Sequence, residues 1–280
     1  MELLLDKVAV VTGASSGLGR ELAICCAKRG MKVMLSDRDA GGLVETVALC
    51  REQSGVELEM HVCDIALNSG VESMRDATVN AFGAAHLVFN CAGVLSMGPV
   101  WEVTPDEWQR VIGVNLAAVA WVVRAFVPIM IAQYVGHFVN VASAAAWFAT
   151  PGLGLYNATK SAVVSFSETL HHDLRVRGLA IGVTVVSPAF FPSNIARDLS
   201  ASIRSDADAR RNLETAIARG KVSAQMIAEM TVDAVSDDQF YVFPHAKVLP
   251  AAQERISMTV RGALPFNPYA AARETPTAAS

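Results

Sequence analysis

The sequence predicts a doubly wound α/β fold, in which one seven-stranded parallel sheet carries helices on both faces. Short apolar runs rich in β-branched residues alternate with longer segments of helical period, the order typical of strands joined by crossover helices. Most of these runs are continuously apolar, as expected for strands covered on both faces. With 280 residues, 52% of them hydrophobic, the chain is long and apolar enough for one large core.

Seven strands are predicted, a number that suits a single sheet. They are Lys7–Thr12, Lys32–Ser36, Leu58–Val62, Leu87–Asn90, His137–Val141, Ala180–Val186 and Phe240–Phe243. A long helix between the fourth and fifth strands has a clear start, because Thr104 and Glu107 form a capping-box pattern around Pro105 at the first helical position.

No internal repeat or low-complexity linker marks a domain boundary, so we expect a single domain over residues 1–280. Residues 195–225 are polar and charged, and they predict an exposed helical excursion on the substrate side. The tail after residue 266 is small and polar, and we expect it to be weakly ordered.

Composition and charge exclude several classes of protein. The chain has 23 Lys and Arg against 27 Asp and Glu, a net charge of −4, so it offers no broad basic surface to nucleic acid. Its five cysteines include no C-x-x-C pair and its six histidines show no ligand spacing, which argues against a disulfide framework and a metal site. The start of the chain lacks a basic region followed by a secretory apolar segment, and we expect a cytoplasmic protein.

Residues 111–132 are apolar over a length that could span a bilayer. Asn115 and Arg124 fall inside this stretch, and two polar groups at such depth would be costly. We therefore expect no membrane span, but a helix buried between the sheet and a partner subunit.

The first predicted strand runs directly into the segment TGASSGLGR, residues 12–20. Glycines at 13, 17 and 19 let the chain turn sharply and let backbone N–H groups approach a pyrophosphate at a helix N-terminus. A strand-to-helix turn without a ligand can also carry glycines. The position after the first strand favours a dinucleotide site.

Asp37 ends the second strand, where a dinucleotide-binding unit places an acid to bind the adenosine ribose. Its carboxylate would repel the extra phosphate of NADP, which favours NAD. Arg38 leaves the alternative of NADP open, because a guanidinium can pair with that phosphate. A third interpretation is that Asp37 only caps a turn.

Tyr156 and Lys160 are four residues apart and share one face of a predicted helix. A neighbouring cation favours the ionised form of a phenol, so the tyrosine could exchange protons near neutral pH. The alternative is an ordinary surface pair. Ser143 precedes Tyr156 by 13 residues, at the end of the fifth strand.

In combination, TGASSGLG, Asp37, Asp64, NCAG from Asn90, Asn115, Ser143 and YNATK from Tyr156 resemble the short-chain dehydrogenase/reductase family. The resemblance covers residues 5–195, and FYVFP at 240–244 is similar to the family's last strand. It implies a Rossmann fold and hydride transfer between a nicotinamide cofactor and an alcohol or ketone.

The resemblance also implies residue roles. Tyr156 would be the general acid/base, Lys160 would lower its pKa and hold the nicotinamide ribose, Ser143 would polarise the substrate oxygen, and Asn115 would hold a proton-relaying water. The implied cofactor contacts are Gly13, Ser15, Ser16, Gly17, Leu18, Gly19, Asp37, Arg38, Asp64, Ile65, Asn90, Ala92, Gly93, Tyr156, Lys160, Pro188 and Ser193.

Two departures from the family pattern stand beside these matches. Cys91 replaces the second asparagine of the usual N-N-A-G, which would weaken a structural hydrogen bond. After the sixth strand, Ala189 and Ser193 replace the glycine and threonine of P-G-x-x-x-T, and Pro192 is added. We expect a stiffer loop at the mouth of the nicotinamide site, with Ser193 still able to donate toward a carboxamide.

The segments that would line the substrate cleft are nearly free of charge: Leu95–Met97, Ala144–Leu155 and Phe190–Phe191. A charged substrate would lack a counter-ion there, so the sequence favours an apolar ketone or secondary alcohol. Trp147 and Phe148 could instead belong to the core or to an interface.

Taken together, the residues predict an NAD-linked alcohol dehydrogenase. The alternatives are an NADPH-dependent carbonyl reductase that uses Arg38, and a non-catalytic nucleotide-binding regulator or scaffold. By resemblance, a homodimer or homotetramer would assemble through the helices that carry Asn115 and Tyr156.

Overall fold

The structure is a computed structural model that describes residues 4–196, Leu199 and residues 207–267. Its strands are β1 (Val8–Thr12), β2 (Lys32–Asp37), β3 (Leu58–Val62), β4 (Leu87–Asn90), β5 (Gly136–Val141), β6 (Ile181–Val186) and β7 (Tyr241–Val242). They form one sheet in the order β3-β2-β1-β4-β5-β6-β7, and every pairing between neighbours is parallel. The predicted fold class is confirmed.

The helices follow the strands in alternation, as the sequence pattern predicts. They are α1 (Gly17–Lys28), α2 (Ala40–Gln53), α3 (Asn68–Phe82), α4 (Pro105–Ile112), α5 (Ala118–Ala132), α6 (Gly154–Val176), α7 (Ala207–Ala218), α8 (Ala224–Ser236) and α9 (Val248–Val260). A π-helical turn, Gly113–Ala117, joins α4 to α5, and a short 3₁₀ turn, Ala144–Ala146, follows β5.

The order of the strands places a crevice beside β1. The chain moves outward from β1 through β2 to β3 and then returns to β4 on the other side of β1. In an open parallel sheet, ligands bind at this reversal, beyond the carboxyl ends of the strands.

Two apolar layers cover the faces of the sheet. Phe89 packs in the layer that includes α1, α2 and α8, whereas Phe126 and Phe138 pack in the layer that includes α3, α5 and α6. The edge strand β3 is an exception to the continuously buried pattern, because Met60 and Val62 are exposed. β3 is the outermost strand of the sheet, where the helical layers end and residues on both of its faces meet solvent.

The predicted helix start at Thr104 is confirmed, since its hydroxyl accepts a hydrogen bond from the Glu107 N–H. The second half of the capping box is not formed as predicted: the Glu107 carboxylate binds Arg110 at 2.8 Å instead. The long helix is also interrupted by the π-helical turn at Gly113–Ala117.

In the described part of the chain, one helical stretch, Pro105–Ala132, is long and apolar enough to cross a membrane by length and composition. A core helix of a soluble protein passes the same test. Here Val122, Phe126 and Met130 on its inner face belong to the core.

Helix α7 falls within the predicted excursion at 195–225. Residues 197–198 and 200–206 of that excursion, and the tail from residue 268, lie outside the described residues. The single-domain organisation over residues 1–280 therefore stays a prediction.

His137 on β5 is buried and generates a prediction about stability. Its Nε2 lies 2.8 Å from the Thr184 hydroxyl, which itself donates to the Gln239 carbonyl, so the imidazole is the donor in this pair. Burial lowers the pKa of His137 from 6.5 to about 4. The unfolded chain then binds the extra proton first, and stability is lost as the pH falls from about 6.5 toward 4.

We expect this residue to remove up to about 3 kcal/mol of unfolding free energy across that pH window. Urea unfolding at pH 7 and pH 4.5 measures the loss. His137→Gln keeps an N–H donor but does not titrate, so its loss should be smaller than that of the wild-type protein. An equal loss in both proteins would show that other groups carry the dependence.

Candidate active site

A cleft of about 640 Å³ lies beyond the carboxyl ends of the strands. It brings together most of the predicted site residues, namely Gly13, Ser15, Ser16, Gly17, Leu18, Gly19, Asp37, Arg38, Asp64, Ile65, Ala92, Gly93, Ser143, Tyr156, Lys160, Pro188 and Ser193. Asn90 and Asn115, by contrast, are not among the residues that line it.

The glycine turn connects β1 to α1 at the floor of the cleft. Gly13 and Gly17 have φ angles of +73° and +53°, which favour glycine. A Cβ at Gly13 would lie 2.8 Å from the Ala92 Cα, so the absence of a side chain also permits close approach of the chain after β4. Within the described residues, the Ser16 side chain makes no capping hydrogen bond to α1, which leaves the first N–H groups of this helix available to an anion.

Asp37 ends β2 next to the glycine turn, and both of its carboxylate oxygens accept hydrogen bonds. One accepts from the Ser15 N–H at 3.2 Å and the other from the Asp39 N–H at 3.1 Å. The bond from Asp39 is the turn cap that the third interpretation of Asp37 predicts. Asp37 also lines the cleft, so it does not act as a turn cap alone. Asp39 and Cys63 also line this end, although no sequence pattern had pointed to them as site residues.

The three chemically active side chains meet where β5 and α6 approach each other. Ser143 follows β5, and its hydroxyl donates to the Pro188 carbonyl at 3.4 Å and accepts from the Ala145 N–H at 3.1 Å. Lys160 lies one turn beyond Tyr156 on α6, with its Nζ 5.8 Å from the centre of the tyrosine ring. The same ammonium donates to the Val141 carbonyl at 2.8 Å.

Burial governs the protonation of this group. It raises the pKa of Tyr156 to about 12, against which the neighbouring Ser143 hydroxyl acts, and it lowers the pKa of Lys160 to about 8. The shift of Tyr156 in the chain alone is therefore opposite to the predicted direction. The reason is that desolvation is the largest effect on the buried phenol, while the Lys160 ammonium is bound to a backbone carbonyl.

Asn115 sits in the π-helical turn, behind the cleft. Its Oδ1 accepts from the Val94 N–H and its Nδ2 donates to the Val94 carbonyl, each at 2.9 Å. A further contact at 3.3 Å joins the amide to the Thr159 hydroxyl. These bonds fix the loop after β4, and the predicted role in holding a water stays a prediction. A π-helical turn of this kind is frequent at functional sites.

Asn90 is 4% exposed and does not line the cleft, so its predicted place among the cofactor contacts stays a prediction. Its Nδ2 donates to Asn140 Oδ1 at 2.8 Å, and Asn140 in turn donates to the Ser167 hydroxyl at 2.8 Å. Buried amides need such partners, and this chain of three polar side chains supplies them. Cys91 takes the following position in the cleft, where burial raises the pKa of its thiol to about 12.

The other end of the cleft is apolar. Its walls include Leu95, Phe148, Leu153, Phe190, Ile195 and Ile217. Ile217 comes from α7 and carried no signal in the sequence. Trp147 does not line the cleft; its indole N–H donates to the Ser187 hydroxyl and its ring packs against Tyr241 and Phe243, so the core interpretation applies to it.

The loop after β6 carries the departures from the family pattern. The Ala189 N–H donates to His245 Nδ1 at 3.2 Å, which anchors the loop from the segment after β7. Ser193 lies beside the glycine turn, because a Cβ at Gly17 would lie 3.8 Å from the Ser193 Cβ. The hydroxyl of Ser193 is thus placed at the turn end of the cleft.

Comparison with known proteins decides the family. The sequence profile of the short chain dehydrogenase family matches residues 7–204. This chain belongs to the short-chain dehydrogenase/reductase family. As a member, it is an oxidoreductase with the Rossmann fold of that family.

Three relatives show how close the similarity is. A family member from Burkholderia phymatum, solved in complex with NAD, is 39% identical, with a TM-score of 0.90 over 97% of this chain and 100% of that chain. SadH, named as an oxidoreductase of Mycobacterium tuberculosis, is 38% identical over 192 residues, which are 69% of each chain. A metagenomic short-chain oxidoreductase in complex with NADP is 29% identical, with a TM-score of 0.68 over 86% of this chain and 96% of that chain.

The geometry of this short-chain dehydrogenase fits a nicotinamide dinucleotide. The glycine turn and the start of α1 would hold the pyrophosphate, and Asp37 would bind the adenosine ribose. Asp64 and Ile65 line the cleft next to this position, while Tyr156 and Lys160 lie toward its apolar end.

Gly19 tests whether the turn binds the nucleotide. A Cβ there would lie 2.1 Å from the Gly13 carbonyl oxygen, so Gly19→Ala must displace the turn. We expect the NADH dissociation constant, measured by nucleotide fluorescence, to rise about tenfold or more. Gly55→Ala is the control, because a Cβ at Gly55 would meet nothing within 4 Å and binding should stay unchanged. Wild-type affinity in folded Gly19→Ala protein would contradict this assignment.

Proposed function

We propose that this oxidoreductase transfers hydride between NAD and a secondary alcohol or ketone that carries apolar substituents. The observation that carries the proposal is the meeting of Ser143, Tyr156 and Lys160 in one cleft whose adjoining walls are apolar. A hydroxyl donor, a phenol and an ammonium within one site are the groups that polarise a carbonyl oxygen and exchange a proton with it.

Each side chain has a distinct part in the reaction. The Ser143 hydroxyl donates to the substrate oxygen and holds it next to the Tyr156 phenol. In the reductive direction Tyr156 gives its proton to that oxygen, and in the oxidative direction it takes the proton back. When bound, the nicotinamide ring supplies the hydride or accepts it.

Lys160 stabilises the ionised form of Tyr156 inside the buried site. A phenolate without a neighbouring cation would be strongly disfavoured there, as the raised pKa of Tyr156 indicates. With a pKa of about 8, Lys160 is charged at neutral pH and stabilises the phenolate when it forms. Its bond to the Val141 carbonyl uses one of three N–H donors, and the others can face the nicotinamide ribose.

NAD is the favoured cofactor because of Asp37. Its carboxylate faces the position of the adenosine ribose and would repel the 2′-phosphate of NADP. The relative from Burkholderia phymatum in complex with NAD supports this choice. The alternative, an NADPH-dependent carbonyl reductase, is favoured by Arg38 in the cleft wall and by the metagenomic relative in complex with NADP.

Asp37→Asn tests the cofactor preference, because it removes the charge and keeps an oxygen for the Ser15 N–H. We expect the dissociation constant of NADPH, relative to that of NADH, to fall about tenfold. Asp173→Asn on the exposed side of α6 serves as the charge-matched control. If the ratio is the same in both variants, another group selects the cofactor.

Tyr156→Phe tests the chemistry. Without its hydroxyl, the protein should still bind NADH, while turnover of apolar secondary alcohols should fall at least about a thousandfold. Tyr134→Phe, at a tyrosine that is 87% exposed, should leave both quantities unchanged. A variant at position 156 that keeps near-normal turnover would overturn the mechanism.

The same assay separates the remaining alternatives. Best turnover with small charged hydroxy acids would contradict the apolar substrate class. Nucleotide binding without turnover of any alcohol or ketone would favour the non-catalytic regulator or scaffold. We further propose a homodimer or homotetramer, since Ile112 and Ile131 leave exposed apolar surface on the helices around Asn115.

A further inference from the structure

A buried threonine on α2 contacts the glycine turn from behind. Thr46 is fully buried, and its Oγ1 lies 2.9 Å from both the Ala14 carbonyl and the Gly42 carbonyl. The contact with Gly42 is the ordinary bond to the carbonyl four residues earlier in a helix. The contact with Ala14 is different, because it joins α2 to the turn that faces the cleft.

Arg20 on α1 completes this contact. Its Nε donates to the Thr46 hydroxyl at 3.0 Å, and one terminal N–H₂ group donates to the Ser15 carbonyl at 2.6 Å. The same group forms an ion pair with Glu45 at 2.9 Å. The planar guanidinium therefore binds the threonine, the turn and the surface of α2 in one fixed arrangement.

These bonds fix two successive peptide groups of the turn. The carbonyls of Ala14 and Ser15 are both directed toward Thr46 and Arg20. In a trans peptide the N–H points opposite to the carbonyl, so the N–H groups of Ser15 and Ser16 point away from this pair. The Ser15 N–H meets Asp37, and Ser16 lines the cleft.

The helix α2 also approaches the turn closely. A Cβ at Gly42 would lie 2.7 Å from the Ser15 Cβ and 2.9 Å from the Ser15 carbonyl oxygen. A side chain at position 42 would therefore displace the Ser15 peptide, and glycine permits α2 to pack against the turn. The turn is held by contacts on its outer side, before a nucleotide reaches its inner side.

We propose that Thr46 and Arg20 are positioning residues for the nucleotide. They orient the Ala14 and Ser15 peptides and thereby raise the affinity of the cleft for NADH. This inference rests on the proposed function, in which the turn binds the pyrophosphate of the cofactor. Neither residue lines the cleft, and Arg20 directly follows the last glycine of the turn.

Thr46→Val is the sharpest test, because it replaces the hydroxyl by a methyl group of similar size and changes no charge. The variant leaves the Ala14 carbonyl and Arg20 Nε without their partner. We expect the NADH dissociation constant to rise about tenfold, measured by fluorescence titration well below the unfolding temperature of each protein. Thr46→Ser restores the hydroxyl and should bring the constant back to within about twofold of wild type.

Thr78 provides a matched control. It is a buried threonine on α3 whose hydroxyl donates to the carbonyl four residues earlier, that of Met74, at 2.7 Å. Thr78→Val should lower the unfolding temperature without changing the NADH dissociation constant. This separates positioning of the turn from a general loss of stability.

Arg20→Lys is a second variant, for use if Thr46→Val does not fold. A lysine keeps the charge but lacks the fork that reaches Thr46 and Ser15 together, so NADH binding should weaken here too. Unchanged binding in folded Thr46→Val or in Arg20→Lys overturns the inference while the proposed function stands. Failure of serine to restore binding also overturns it. If the wild-type protein binds neither NADH nor NADPH, the proposed function fails, and this inference fails with it.

Discussion

The hydroxyl of Thr12 holds together the two strands between which the cleft opens. It donates to the Phe89 carbonyl of β4 at 3.0 Å and accepts from the N–H groups of Cys91 and Ala92. Regular ladder bonds between β1 and β4 end at this point, so one side chain continues the pairing where the chain leaves the sheet. Gly13 can then pass next to Ala92, and the turn and the loop after β4 become opposite walls of one cleft.

The side chains of Tyr156 and Lys160 depend on burial in this cleft. Tyr156 and Lys160 are less than one-tenth exposed. Burial raises the pKa of Tyr156 and lowers the pKa of Lys160, and both shifts favour the neutral form of the side chain. A single charge of either sign is therefore costly, whereas a phenolate next to an ammonium is less so. In the proposed reaction, loss of the Tyr156 proton would therefore leave the phenolate next to the Lys160 ammonium and not as an isolated negative charge.

Much of the fold could be predicted because buried parallel strands read as apolar runs. The observed strands begin and end within two residues of the predicted bounds, and Thr104 marks its helix start as expected. The family pattern also predicted most of the cleft, since the glycines, Asp37 and Ser143 follow strand ends that a parallel sheet gathers on one edge, and Tyr156 lies on the next helix.

The remaining features depend on contacts between distant parts of the chain. The π-helical turn contains Asn115, whose bonds with Val94 join residues 21 positions apart and leave no periodic signal. The direction of the Tyr156 pKa follows from burial, which spacing to Lys160 does not report. Thr46 is a single hydroxyl within an ordinary helix, and only the fold brings it to the turn.

The loop after β6 shows how the two ends of the cleft are joined. Ser193 packs beside the glycine turn, while Phe190 and Phe191 line the cleft. The loop is held by His245 at Ala189 and by close approach of Gly220, where a Cβ would lie 2.5 Å from the Phe191 Cα. No glycine follows Pro188, so the backbone of this loop has less conformational freedom. Contacts from the segments of His245 and Gly220 hold it in place. One short stretch of chain, residues 189–193, therefore contributes both to the apolar wall and to the surroundings of the glycine turn.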